Sequence, residues 1–127
     1  MISKEKALDK FGKVLVEKVR DEAIDVMCLV LRGQMNSQES KELYAEARFL
    51  SPEQINLVER FIRHTVDNTL HHFLWMIEQE DDVDLVVYET DDKKPISLKE
   101  ISDGLCGEPY TEDGWIERFS QFPPSIK

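Results

Sequence analysis

The chain is short of the residues that usually announce a chemistry. It holds two cysteines, three histidines, five glycines and five prolines in 127 residues. Cys28 lies in an apolar run and Cys106 in a polar one, so they form neither a disulfide framework nor a CxxC pair. A reduced, cytoplasmic protein is the expectation. Long apolar runs are also missing. The longest, VMCLVL at Val26–Leu31, falls far short of the ~20 residues a membrane span needs, and no membrane partner is expected. The opening MISKEKALDK alternates in charge and has no apolar core, so no secretory signal is expected. There is no GxSxG, GxGxxG or GxxxxGK pattern, and no serine with a visible activating partner. Cys28 is expected to be buried and inert. No catalytic residue is therefore assigned and no cofactor is expected. Repeats, low-complexity tracts and Pro/Gly/Ser-rich linkers are absent too, so residues 1–127 read as a single globular domain.

Basic residues are scarce in one third of the chain. Residues 78–117 carry 14 acids against three bases, Lys93, Lys94 and Lys99, whereas residues 1–77 hold 12 acids against 11 bases. Nearly all of the net charge of −10 thus belongs to one segment. Such a field repels nucleic acid and anionic lipid and attracts cationic partners, although net charge also serves solubility alone. A hydrophobic share of 41% with 33% charged residues marks a globular chain.

Periodicity predicts helices. Ser3 caps a long helix over about Lys4–Leu31, with Leu8, Phe11, Leu15, Val19, Ala23, Val26 and Val30 on one face. Its end is apolar nearly all round and should be central. Gly12 marks close packing or a break, and Arg32-Gly33 is a stop. A shorter helix covers about Gln38–Phe49. Ser51-Pro52-Glu53-Gln54 is a capping box with proline at the first helical position. It opens a helix to about Gln79, whose core stripe is Ile55, Val58, Ile62, Val66, Leu70, Phe73 and Ile77. Leu57, Phe61 and Trp75 form a second apolar patch on nearly the opposite side, which predicts a helix lying between two layers; a sizeable dimer interface built from that patch would instead favour a structural subunit of an assembly. DLVVYET then reads as a strand, DDKK as a turn and PISL as its return. Ser97 with Glu100 starts a helix of one or two turns. A last helix runs over about Trp115–Phe122, capped by Asp113 and ended by Pro123-Pro124. The expected fold is mainly α: a bundle of two long helices and one shorter, with a small β-hairpin and short C-terminal helices.

The stretch SDGLCGEPYTEDGW, Ser102–Trp115, looks like a ligand loop but fails each test. With Gly114 at the invariant glycine of a calcium loop, Pro109 and Thr111 fall where acidic ligands belong. It reads instead as a corner. Gly104, Gly107 and Gly114 supply positive φ, Tyr110 and Trp115 pin the loop to the core, and GEPYTED faces water.

Two acidic constellations remain. His64, Asp67 and His71 share a helix face with Arg60 and Glu78, and imidazole with carboxylate suits zinc or iron, with Asp21 and Asp25 able to complete a site. The competing and preferred reading is a polar seam, with both histidines bonded to Asp67 and nearby carbonyls and Arg60 paired to an acid. His72 lies off the seam, at the surface. Glu39–Glu42 and Glu78–Asp81 match the ExxE and ExxD patterns through which all-α nucleotide pyrophosphohydrolases bind magnesium.

Three stretches, EKVRDEAID (Glu17–Asp25), VDNTLHHFLWMIE (Val66–Glu78) and SDGLCGEPYTEDGWIERFS (Ser102–Ser120), resemble small acidic bacterial proteins of unassigned function. In size and charge the chain also resembles the immunity proteins that neutralise bacterial toxins. That resemblance concerns surface character and carries over no site residue. It implies a non-enzymatic module, an immunity protein or antitoxin, whose partner is a basic protein such as a nuclease-like toxin. Asp81, Asp82, Asp84, Glu108, Glu112, Asp113 and Glu117 are the expected partner-binding residues. The alternatives are a metal-dependent hydrolase using the His64, Asp67 and His71 cluster and a structural subunit of a larger assembly.

Overall fold

The computed structural model describes residues 3–88 and 94–122. It is mainly α, as expected. Helix α1 spans Lys4–Leu15, α2 Asp21–Leu31, α3 Gln38–Ala47, α4 Pro52–Gln79, α5 Leu98–Ile101 and α6 Trp115–Phe119. A two-stranded antiparallel hairpin pairs β1 (Val86–Tyr88) with β2 (Pro95–Ser97), Val87 facing Ile96. Local chemistry places these boundaries. The hydroxyls of Ser3, Ser37, Ser51 and Ser97 accept from the backbone amides of Lys6, Ser40, Gln54 and Glu100. The Gln54 side chain returns the bond to Ser51, completing the box that opens α4. Gly33 sits at φ 77, the left-handed conformation that ends α2.

The long N-terminal helix is not uniform. Between α1 and α2, Val16–Arg20 form a π turn, in which the Asp21 amide reaches back five residues to the Val16 carbonyl. The wider turn shifts the buried face by one position, about 100° of rotation. The stripe of Ala7 and Leu15 therefore continues as Val16, Arg20 and Ile24. Val19 and Val26, expected in the core, are exposed for this reason.

The core joins α1, the C-terminal half of α4 and the C-terminal segment through Ala7, Leu15, Val16, Leu70, Leu74, Ile77, Leu98, Leu105, Trp115 and Ile116. Trp115 is fully buried. Phe11 meets it edge-on at 5.7 Å between ring centroids. A Cβ at Gly12 would fall 2.4 Å from the Trp115 ring, so Gly12 marks close packing and not a break. Helix α2 lies between α3 and α4, contacting both. The expectation that α4 lies between two layers is overturned. Leu57, Phe61 and Trp75 are exposed by 50%, 62% and 49%, and Phe73 by 41%. Helix α4 buries one face, and nothing among the described residues covers the other.

At the C-terminal end two further expectations change. Gly114, not Asp113, is the N-cap of α6, without a side-chain cap bond. The left-handed residue of the corner is Asp113, at φ 58, while Gly104 is extended at φ −174. Gly114 is needed for room instead: a Cβ there would lie 2.6 Å from the Thr111 carbonyl oxygen. The expected DDKK turn lies largely, and Pro123-Pro124 wholly, outside the described residues.

Candidate functional site: an acidic rim on a buried polar anchor

Arg20, brought inward by the π turn, is fully buried. Its guanidinium forks onto Asp67 of α4, with Nε 2.6 Å from Oδ1 and a second nitrogen 3.2 Å from Oδ2. The remaining nitrogen donates to Asp21 Oδ1 at 3.1 Å, Ser120 Oγ at 2.7 Å and the Phe122 carbonyl at 3.2 Å. Asp21 in turn accepts from Ser120 Oγ at 2.7 Å and from the Gln121 amide at 2.8 Å. One charged centre thus ties the N-terminal helix, α4 and the end of the described chain together, with its polar atoms paired as burial requires.

This arrangement decides the fate of the expected seam. Both carboxylate oxygens of Asp67 accept from Arg20. His71 lies 3.4 Å by Nδ1 from the Cys106 carbonyl, and His64 is exposed. Asp21 is held by Ser120 and Gln121, and Asp25 is exposed. Among the described residues, no group of three or more His, Cys, Asp or Glu converges as metal ligands. The Glu39/Glu42 and Glu78/Asp81 pairs are likewise not brought together: α3 packs on α2, and Glu78 accepts from the Cys106 amide at 2.6 Å. His72 is exposed, as expected, and bonds the Asn68 carbonyl through Nδ1 at 2.8 Å.

The corner of Ser102–Trp115 is fastened to α4 at two heights. Cys106 meets Glu78 near its end, and the Tyr110 hydroxyl donates to the Asp67 carbonyl in its middle. The amides of Trp115 and Ile116 close the loop on the carbonyls of Glu108 and Pro109. Burial, reinforced by the Asp67 charge, pushes the Tyr110 phenol well above the ordinary tyrosine value. Burial also raises the thiol of Cys106, with Glu78 adding to the effect. A raised thiol is a poor nucleophile at neutral pH.

The seven expected partner-binding acids fall in two runs, one that follows the end of α4 and one on the corner and α6, the latter helix packing on α1. Asp81, Asp82 and Asp84 follow the helix. Lys99 braces this turn by donating to the carbonyls of Glu80 and Val83, and Asp84 accepts from the Leu85 amide at 2.7 Å and Ser97 Oγ at 2.5 Å. Glu108, Glu112, Asp113 and Glu117 belong to the corner and α6. Glu108 is half-buried and accepts from Ser102 Oγ, and Glu117 accepts from the Asp113 amide at 3.1 Å. Asp81, Asp82, Glu112, Asp113 and Glu117 are exposed.

Two surface pockets of about 190 Å³ share His64 along α4. One is lined by Leu57, Arg60, Phe61 and His64, the other by His64, Asp67, Asn68, His71 and Tyr110. Sequence reasoning missed Arg20. Its one available signal was position: it stands four residues from both Val16 and Ile24, in line with two apolar side chains. No helix among the described residues is long and apolar enough to cross a membrane. Comparison with family models, curated proteins and solved structures finds no significant match to this chain.

Proposed function

We propose that this chain is a non-enzymatic protein-binding module of the immunity-protein or antitoxin kind, acting in the cytoplasm by occluding a basic site such as a nuclease cleft. The observation that carries the reading is the bracing of both acidic runs. Lys99 and Tyr110 donate to the carbonyls of Glu80 and Asp67, and Glu78 of α4 accepts from the Cys106 amide, so both turns are fastened to α4, while Asp81, Asp82, Glu112, Asp113 and Glu117 stay exposed. A preorganised rim of carboxylates steers a cationic surface and loses little entropy when it docks. Nucleic acid is disfavoured by the same field.

The test compares the wild type with Glu112→Gln/Asp113→Asn/Glu117→Gln, a variant that keeps the hydrogen-bonding shape and removes charge. Each serves as bait in an extract of the source cell, and any protein captured by wild type alone is purified and titrated. The expected partner is basic and associates at least tenfold more slowly at high salt, because exposed charges are screened beyond about 8 Å at physiological ionic strength. Equal capture by both baits, or a salt-independent association rate, refutes the reading.

A further inference from the structure

The uncovered face of α4 has an internal symmetry. Phe61, His64, Asn68, His72 and Trp75 all lie on it, and all are exposed. Counted from Asn68, the two aromatic residues stand seven positions away on either side and the two histidines four positions away. The pattern reads nearly the same in both directions: aromatic, imidazole, amide, imidazole, aromatic. Steps of three and four residues are those of a coiled-coil seam. A palindromic seam matches a second copy running antiparallel about a two-fold axis, because such an interface sets each residue against its mirror position in the partner.

The pocket beside this face has the matching shape. Leu57, Arg60, Phe61 and His64 stand at positions i, i+3, i+4 and i+7, the four corners of a hole that receives one side chain from a facing helix. With the two-fold at Asn68, the centre of that hole lies opposite Trp75 of the copy. The pocket is about 190 Å³, and Arg60 at its edge can stack on an indole face. The same axis lays Asn68 against itself, where an amide both donates and accepts. It also opposes the two helix dipoles and brings Arg60 within about one turn of Glu80 in the copy.

The area is close to that of a small interface. The exposed halves of Leu57, Phe61 and Trp75 offer roughly 300 Å² of apolar surface per chain, taking aromatic side chains at about 150–250 Å² when fully exposed. That is roughly 600 Å² over both copies. It approaches the apolar share, about 56–65%, of a small stable interface of about 1,200 Å². The imidazoles and the stem of Arg60 supply the remainder.

We infer that the chain forms an antiparallel homodimer through this face of α4, with Trp75 of each copy seated between Leu57, Arg60, Phe61 and His64 of the other. This interface goes beyond the proposed partner surface and is argued from none of its acids.

Sedimentation of the whole chain at tens of micromolar tests it. The wild type should sediment at twice the monomer mass. Phe61→Glu and Trp75→Glu should each sediment as monomers, with far-UV dichroism kept because both positions are exposed in the single chain, and with a thermal midpoint that no longer rises with concentration as the wild type's does. Asn68→Cys should give a reducible covalent dimer under mild oxidation, and Gln54→Cys, distant from the axis, should not. A wild type that is monomeric throughout this range overturns the inference. So does a dimer that survives both charge substitutions, or one that cross-links equally through residue 54.

Discussion

Replacing Asp67 by alanine removes the bidentate partner of a guanidinium that has no access to water. Two charge-assisted bonds disappear, at 2.6 and 3.2 Å, and Arg20 keeps its contacts with Asp21, Ser120 and Phe122. Breaking a buried pair by deleting one partner costs about 3–5 kcal/mol, because the surviving charge is left uncompensated. Residual neutralisation by Asp21 sets the expectation at the lower end, about 3 kcal/mol. A chain of this length is stable by roughly 6–19 kcal/mol on the usual scale of about 0.05–0.15 kcal/mol per residue, so the loss is a sizeable fraction of the total. Urea unfolding followed by far-UV dichroism and indole emission gives the number. Removing both charges in Arg20→Met/Asp67→Leu should cost less than the two single changes combined, with a coupling of about 2 kcal/mol or more. Hydrogen exchange supplies a local readout: the amides of Gln121 and Phe122, held by Asp21 and Ser120, should lose protection first. An Asp67→Ala protein destabilised by less than about 1 kcal/mol, with those amides still protected, would show that the guanidinium is not the tie described above.

Two other perturbations have defined signs. Gly12→Ala improves helix propensity by up to about 1 kcal/mol, yet it drives a methyl into the Trp115 ring, and overpacking costs typically about 1–3 kcal/mol; a net loss of thermal midpoint is expected, and a gain would contradict the packing described. Tyr110 ionises at higher pH in the folded chain than in the unfolded one, so the unfolded state loses its proton first as pH rises past the ordinary value of about 10. Stability should therefore fall through that alkaline range, and Tyr110→Phe should flatten the fall; identical alkaline profiles would remove the phenol from the account.

Much of the helical frame was legible because it is written locally. Ser51, Pro52 and Gln54 lie within four positions and act on amides one turn away, so the start of α4 needed no tertiary information. The same holds for Ser3, Ser97 and Gly33. Tyr110 and Trp115 were also readable as pins, since aromatic residues in a polar loop have few uses other than docking on a core. The cap at Asp113 was not. Two neighbours could both begin α6, and the steric limit at Gly114, 2.6 Å from the Thr111 carbonyl, is set by how the loop folds back on itself.

The polar centre was misread for a different reason. Projecting Leu15, Val19 and Val26 onto one face assumes 3.6 residues in every turn. One wider turn at Val16–Arg20 breaks the assumption, exposes Val19 and Val26, and carries Arg20 into the line of Val16 and Ile24. Once Arg20 is inside, it needs carboxylates, and Asp67 and Asp21 supply them. The acid that a metal would have used is thereby turned to the guanidinium, and the loop end at Ser120 is drawn in with it. One backbone hydrogen bond, from the Asp21 amide to the Val16 carbonyl, thus separates a helix with an apolar stripe from one that organises the polar interior.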